Sequence, residues 1–285
     1  MIVVTGATGA LNGATVEHLL KRVPAEQIGV SVRDAAKAPH FADRGVRVRQ
    51  GSYEDPAALR HSFEGAEQVL LVSSNDPYAD AVALHRVGIE AAVAAGARRI
   101  LYTSHQGAGA DSPFHPARDH AATEKLLADS GVAWTSLRNG FYAHSLGWLL
   151  GPWQQTGTIT APADGPISWT DRADAAEAAA VILAGDGTFD GPVTLTARQA
   201  VTFDDIAAMA SKISDREVKR IVMDDEEWIA DKVATGTPET MARMAPTTFQ
   251  AAREGRFAGV DPLLAELLGR EPRSVADQLA DSIAA

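Results

Sequence analysis

The 285-residue chain has no cysteine. That removes disulfides, thiolate metal sites and cysteine nucleophiles together. It is also short of positive charge: 26 Lys+Arg against 37 Asp+Glu leave a net charge of −11. Such a balance argues against a surface that tracks nucleic-acid phosphates or binds an anionic membrane. No run of about 18 apolar residues could span a bilayer, and no basic-then-apolar signal peptide opens the chain. The eight histidines form no metal pattern, because His-Glu-x-x-His is missing and His115 and His120 are five apart, off a shared helical face. There is no Gly-x-Ser-x-Gly elbow and no readable Ser-His-Asp arrangement. The expectation left is a soluble, cytoplasmic globular protein without metal, long enough to bury a full core in one large domain or two merged ones.

What is present is an alternation. Short apolar or β-branched runs recur at Ile2–Thr5, Ile28–Val32, Val46–Val48, Val69–Val72, Ile100–Thr103 and Trp134–Leu137. They are continuous rather than alternating, as strands buried on both faces are. Helical spacing lies between them: Leu11, Val16, Leu19, Leu20 and Val23 before Pro24, and the Ala-rich stretch Ala79–Ala95 before Gly96. This predicts an α/β, Rossmann-like, doubly wound parallel sheet over residues 1–150. Past Gly151 glycine and proline cluster, then Arg172–Leu183 reads as a helix, Val193–Leu195 as a strand and Asp204–Ile213 as a helix behind the cap Thr202. The remainder reads as mostly helical, with turns at Pro238, Pro246 and Pro262. Residues 151–285 are expected to form a smaller substrate-binding lobe, interleaved with the sheet domain and closing over its C-terminal edge.

The segment Thr5-Gly6-Ala7-Thr8-Gly9-Ala10-Leu11-Asn12-Gly13 follows the first strand and opens the first helix. In that context a glycine loop carries meaning: Gly6 permits the tight turn, and Gly9 lets backbone approach a diphosphate. The helix N-terminus then offers free N–H groups around Thr8, Ala10 and Leu11. Arg33 stands at the tip of the second strand with Lys37 one helical turn on. A cation there suits the 2′-phosphate of NADPH, while Asp34 leaves NADH open. Ser73, Ser74 and Asn75 after the fourth strand, and Thr103, Ser104 and His105 after the fifth, are polar groups at successive strand tips, where open α/β sheets bind ligands.

The Gly6/Gly9 spacing is that of short-chain dehydrogenases, and Thr-Gly-Ala-Thr-Gly-x-Leu resembles their atypical, NmrA-like branch. The family's third glycine falls on Asn12, with Gly13 following. Ser52 and Tyr53 follow the third strand, where relatives carry an acid against adenine; Ser52 replaces it. The Tyr-x-x-x-Lys pair of ordinary members is replaced by His120 and Glu124, four apart on one helical face. Glu124 thereby takes the ribose-holding place and His120 that of the proton donor, with Lys125 turned about 100° away. The stretches His120–Lys125, Thr135–Tyr142, Thr202–Ala207 and Leu267–Ser274 are similar to flavin-free NAD(P)H:quinone oxidoreductases of type 2 and triphenylmethane reductases.

For such relatives the resemblance implies NAD(P)H-dependent hydride delivery to a quinone or related planar aromatic, without flavin. Alignment then matters more than a strong acid. Asn139, Gly140 and Phe141 are expected beside the nicotinamide, with Asn139 orienting the carboxamide. Tyr142 or His144 is placed to polarise an acceptor oxygen, with His105 and His120 as further proton-transfer candidates. Trp148, Trp153 and Trp169 are expected to roof an aromatic pocket. Two alternatives stand beside this reading: an NmrA-type nucleotide sensor without turnover, supported by the altered pair, and another enzyme of aromatic secondary metabolism. No nucleic-acid or membrane partner is expected, and a homodimer stays open.

Overall fold

The computed structural model describes residues 1–74, 76–185 and 189–284. Its strands are β1 Ile2–Thr5, β2 Ile28–Val32, β3 Arg47–Gln50, β4 Gln68–Leu71, β5 Arg99–His105, β6 Ala133–Asn139, β7 Phe141–Tyr142, β8 Thr158–Ala161, β9 Trp169–Thr170, β10 Gly191–Leu195 and β11 Lys219–Val222. Seven of them form one parallel sheet in the order β10-β6-β5-β4-β1-β2-β3. β1 and β2 are buried along their whole lengths, which is why their sequences are continuously apolar or small. Helices cover both faces, giving the expected Rossmann-like α/β fold. The chain runs outward from β1 in both directions, so the topological switch falls between β1 and β4.

The second half returns to this sheet. β10 pairs with β6 from Gly191↔Thr135 to Leu195↔Asn139, and the helix Arg172–Ala184 packs along the first helix, Ala10–Leu19. The Ala-rich face of Arg172–Ala184 makes that close approach feasible: Ala175, Ala176, Ala178, Ala179 and Ala180 are all buried. Residues 196–284 are mostly helical and enclose a separate apolar core built on Trp153, Trp169, Phe203, Trp228, Phe249 and Phe257.

Two features were not expected. Short parallel pairs, β8 with β11 and β7 with β9, stitch the lobe together; at two to four residues each, their periodicity is too brief to read. Pro246 is not in a turn but inside the helix Glu239–Arg253. The helix runs through it because Ala242, Ala245, Phe249 and Ala252 on either side are buried in the lobe core, outweighing one lost backbone bond. No helix among the described residues is long and apolar enough to cross a membrane.

Candidate functional site

A cavity of about 650 Å³ opens at the C-terminal ends of β1 and β4. Its floor is the glycine loop. Gly6 has φ +62°, and a Cβ there would lie 2.8 Å from Val72 Cγ1; only glycine satisfies both constraints. Gly9 is the N-cap of Ala10–Leu19 with no side-chain cap, and the first turn contains no acid. The first N–H groups of that helix therefore face the cavity without an intrahelical or side-chain acceptor. Asn12 replaces the third glycine by turning inward, its Nδ2 donating to Thr5 O at 2.8 Å. Gly13 takes over the close packing, since a Cβ there would meet Ala7 O at 2.8 Å. Thr8, Ala10 and Leu11 complete the cradle. A bare, uncapped, acid-free helix start beneath a cavity fits a dinucleotide diphosphate.

From the cradle the cavity extends over β2 and β3 past Ser31, Arg33, Ser52 and Tyr53. Arg33 is exposed and has no ion-pair or hydrogen-bond partner among the described residues. The Tyr53 hydroxyl is committed to the wall, donating to Val72 O at 2.8 Å and lying 3.1 Å from Thr5 Oγ1. Burial pushes its pKa up, so the hydroxyl keeps its proton.

The β4 and β5 tips are tied to each other. Ser73 N donates to Thr103 Oγ1 at 2.8 Å, and Ser74 N donates to His85 Nε2 at 2.8 Å. Because Nε2 accepts, the His85 proton resides on Nδ1, 2.8 Å from Thr123 Oγ1. Burial pulls the His85 pKa down to about 4, which keeps this neutral tautomer across the physiological range. His85, unforeseen from sequence, fixes the wall on which Ser73 and Ser74 stand. Asn75 lies outside the described residues.

The opposite wall follows β6. Asn139 Nδ2 donates to the Tyr142 hydroxyl at 3.0 Å. Tyr142 lines the cavity, and burial raises its pKa to about 12. It thus holds its proton, and that proton has no acceptor among the described residues. His144 and Arg172 lie beside it, Arg172 Nη1 being 3.4 Å from His144 Nε2. Arg172 escaped the sequence reading, although its place just after the helix cap Asp171 was a usable signal.

Thirteen sequence-predicted site residues therefore share one cavity: Gly6, Thr8, Gly9, Ala10, Leu11, Arg33, Ser52, Tyr53, Ser73, Ser74, Thr103, Tyr142 and His144. Others are elsewhere. Glu124 is buried under the sheet, where Ser104 and Ser136 donate to its Oε1 at 2.8 and 2.7 Å and Arg138 Nε at 2.9 Å. It is a structural ion pair, which also accounts for Ser104. His120 pairs with the Tyr102 hydroxyl at 2.8 Å and is pushed well down in pKa by burial. His105 sits against Phe114, Phe141 and Phe257, and burial lowers it to about 4. Neither histidine borders the cavity. Gly140 is required by β9, since a Cβ there would come 2.7 Å from Ser168 O, and Phe141 joins the aromatic cluster around Trp169.

The tryptophans do not roof the cavity. Trp153 and Trp169 are 3% and 1% exposed inside the lobe core. Trp148 lies on the outer surface against Trp228, with Lys232 over both rings. For Trp153 and Trp169, burial inside the lobe core gains more than facing the cavity would.

The NmrA-like family matches residues 1–267. The chain belongs to that family. Among its relatives, quinone oxidoreductase 2 of Escherichia coli (strain K12) is 36% identical over 281 residues, 98% of each chain. A crystal structure of NADPH-dependent quinone oxidoreductase from Escherichia coli complexed with NADPH superposes with a TM-score of 0.90 at 35% identity, covering 99% of this chain and 100% of the other. Triphenylmethane reductase from Citrobacter sp., complexed with NADP(H), gives 0.88 at 31% identity, covering 99% of both.

Proposed function

We propose that this NmrA-like protein is an NADPH-dependent reductase of quinones or related conjugated aromatics. The observation that carries the reading is the single cavity joining the uncapped helix start at Gly9 to the Tyr142 hydroxyl. Gly6, Gly9 and the first-turn N–H groups would hold the coenzyme diphosphate, and Arg33 its 2′-phosphate. When bound, NADPH supplies a hydride. Ser73, Ser74 and Thr103 form the wall between the two ends, held rigid by His85. Asn139 fixes the Tyr142 hydroxyl as an acceptor of one hydrogen bond, so that its proton is directed to an acceptor oxygen that gains charge. With its pKa near 12, Tyr142 acts as a hydrogen-bond donor rather than a neutral-pH acid. A quinone oxygen needs no stronger group, since water can complete its protonation.

The full-length protein with NADPH and 1,4-naphthoquinone should consume the nicotinamide absorbance well above the buffer rate. A second reading, a nucleotide sensor, is favoured by the structural use of His120 and Glu124. Tight NADPH binding without turnover on naphthoquinone, benzoquinone or an azo dye would decide for it.

A further inference from the structure

The cavity carries two arginines, at opposite places. Arg33 belongs to the β2 tip; Arg172 begins the helix Arg172–Ala184 beside Tyr142 and His144. Arg172 is half-buried, yet its guanidinium makes one hydrogen-bonding contact, to the His144 imidazole, and meets no carboxylate among the described residues. The neighbouring Asp171 is already engaged: it caps the helix by accepting from Ala173 N at 2.7 Å, and its other oxygen takes Gln278. Arg138, Arg256 and Arg270 each meet a carboxylate, whereas Arg172, like Arg33, lines the cavity with no ion pair among the described residues. A partly desolvated cation without a counter-charge is unfavourable unless a ligand completes it.

The surrounding groups have the same bias. Burial and the Arg172 charge lower the pKa of His144, so its imidazole stays neutral. With Nε2 turned to Arg172, Nδ1 carries the proton and is a second donor. The Tyr142 ring lies 5.8 Å from that imidazole, so these donors adjoin the hydroxyl that serves the reacting oxygen. We infer that the Arg172–His144 corner beside Tyr142 binds an anionic substituent of the acceptor, a sulfonate, carboxylate or ionised ring hydroxyl, with Arg172 as the specificity-determining residue. The inference rests on the reductase reading above. The coenzyme diphosphate offers similar chemistry, but the first-turn N–H groups already serve it, whereas Arg172 touches the wall beyond β6.

The test compares 1,2-naphthoquinone with 1,2-naphthoquinone-4-sulfonate in the wild-type protein and in Arg172→Met and Arg172→Lys. The ratio of kcat/KM for the sulfonated over the parent quinone should fall about tenfold to a hundredfold in Arg172→Met, the size of one lost charge-assisted hydrogen bond. Arg172→Lys should recover part of it. Calorimetric binding of naphthalene-1-sulfonate to the NADP⁺-saturated protein should weaken in the same order. An equal fall for both quinones with a raised KM for NADPH would assign Arg172 to the coenzyme and overturn the inference, as would an unaltered ratio. If neither quinone is reduced, the reductase reading fails on its own; the sulfonate binding series then still decides whether this corner takes an anion.

Discussion

At the β1–β4 crevice the cavity wall is mostly backbone: glycine turns, free N–H groups and strand tips whose positions follow from the sheet. Beyond β6 the wall is side chains: Tyr142, His144 and Arg172 come from β7, the turn after it and a helix about thirty residues later in the chain, with Asn139 of β6 donating to the Tyr142 hydroxyl. The first end is built to recognise something generic, a phosphate against backbone. The second depends on where a few long side chains point, and is where members of one fold would diverge in acceptor. The helix face between β5 and β6 that carries His120 and Glu124 belongs to neither end; its polar groups are spent on Tyr102, Ser104 and Arg138 within the scaffold.

That division can be broken by substitution. The largest effect is expected at Glu124, whose side chain is 8% exposed and paired with Arg138. Glu124→Gln should cost about 3 kcal/mol in denaturant unfolding, because it leaves the guanidinium without its charge. NADPH affinity, measured well below the unfolding midpoint, should be unmoved; a loss of affinity at full stability would return Glu124 to the coenzyme site. Next comes Arg33→Ala, expected to raise the Kd for NADPH about tenfold to a hundredfold while sparing NADH. Equal losses for both coenzymes would show that Arg33 does not read a 2′-phosphate. Gly6→Ala forces a side chain to φ +62° and against Val72. It should weaken both coenzymes alike by about tenfold or more, and retention of wild-type affinity would remove the cradle from the account.

The two ends differed in the same way in how far they could be read from sequence. Gly6, Gly9 and Arg33 were legible because their spacing relative to β1 and β2 fixes their places, and a parallel sheet leaves strand tips little freedom. The seven strands of the main sheet were legible to within one or two residues, chiefly because burial on both faces makes most of them continuous apolar runs. Glu124 and His120 were placed on the right helical face, but periodicity cannot tell a face that meets a ligand from one that meets Arg138 or Tyr102. The tryptophans failed similarly, since a large aromatic near a pocket and one inside the next core have identical sequence signatures. Arg172 and His85 were missed because each acts across the fold, on His144 and on Ser74, at separations no local pattern encodes.

At the acceptor end the expected effects are smaller. Tyr142→Phe should lower kcat about tenfold, the value of one hydrogen bond made to a developing charge, with little change in KM for NADPH. An unchanged kcat would take the hydroxyl out of the chemistry. Smallest of all is the pH response. With His105 near 4, Tyr142 near 12 and burial lowering His144 from its ordinary value, none of the three titrates between about pH 7 and 9, so kcat should be flat across that window. An inflection there that vanishes in a His105 or His120 variant would restore a histidine as the proton donor.

On this proposal the uncapped helix start at Gly9 holds the reduced coenzyme, and the Tyr142 hydroxyl serves the acceptor at the other end of the same cavity. Calorimetric titration of the full-length protein with NADPH, repeated with Gly6→Ala and Tyr142→Phe, tests it most directly. The account predicts saturable binding of one coenzyme per chain that is strongly weakened by Gly6→Ala and retained in Tyr142→Phe. Absence of saturable binding in the wild-type protein, or binding indifferent to Gly6→Ala, would contradict it.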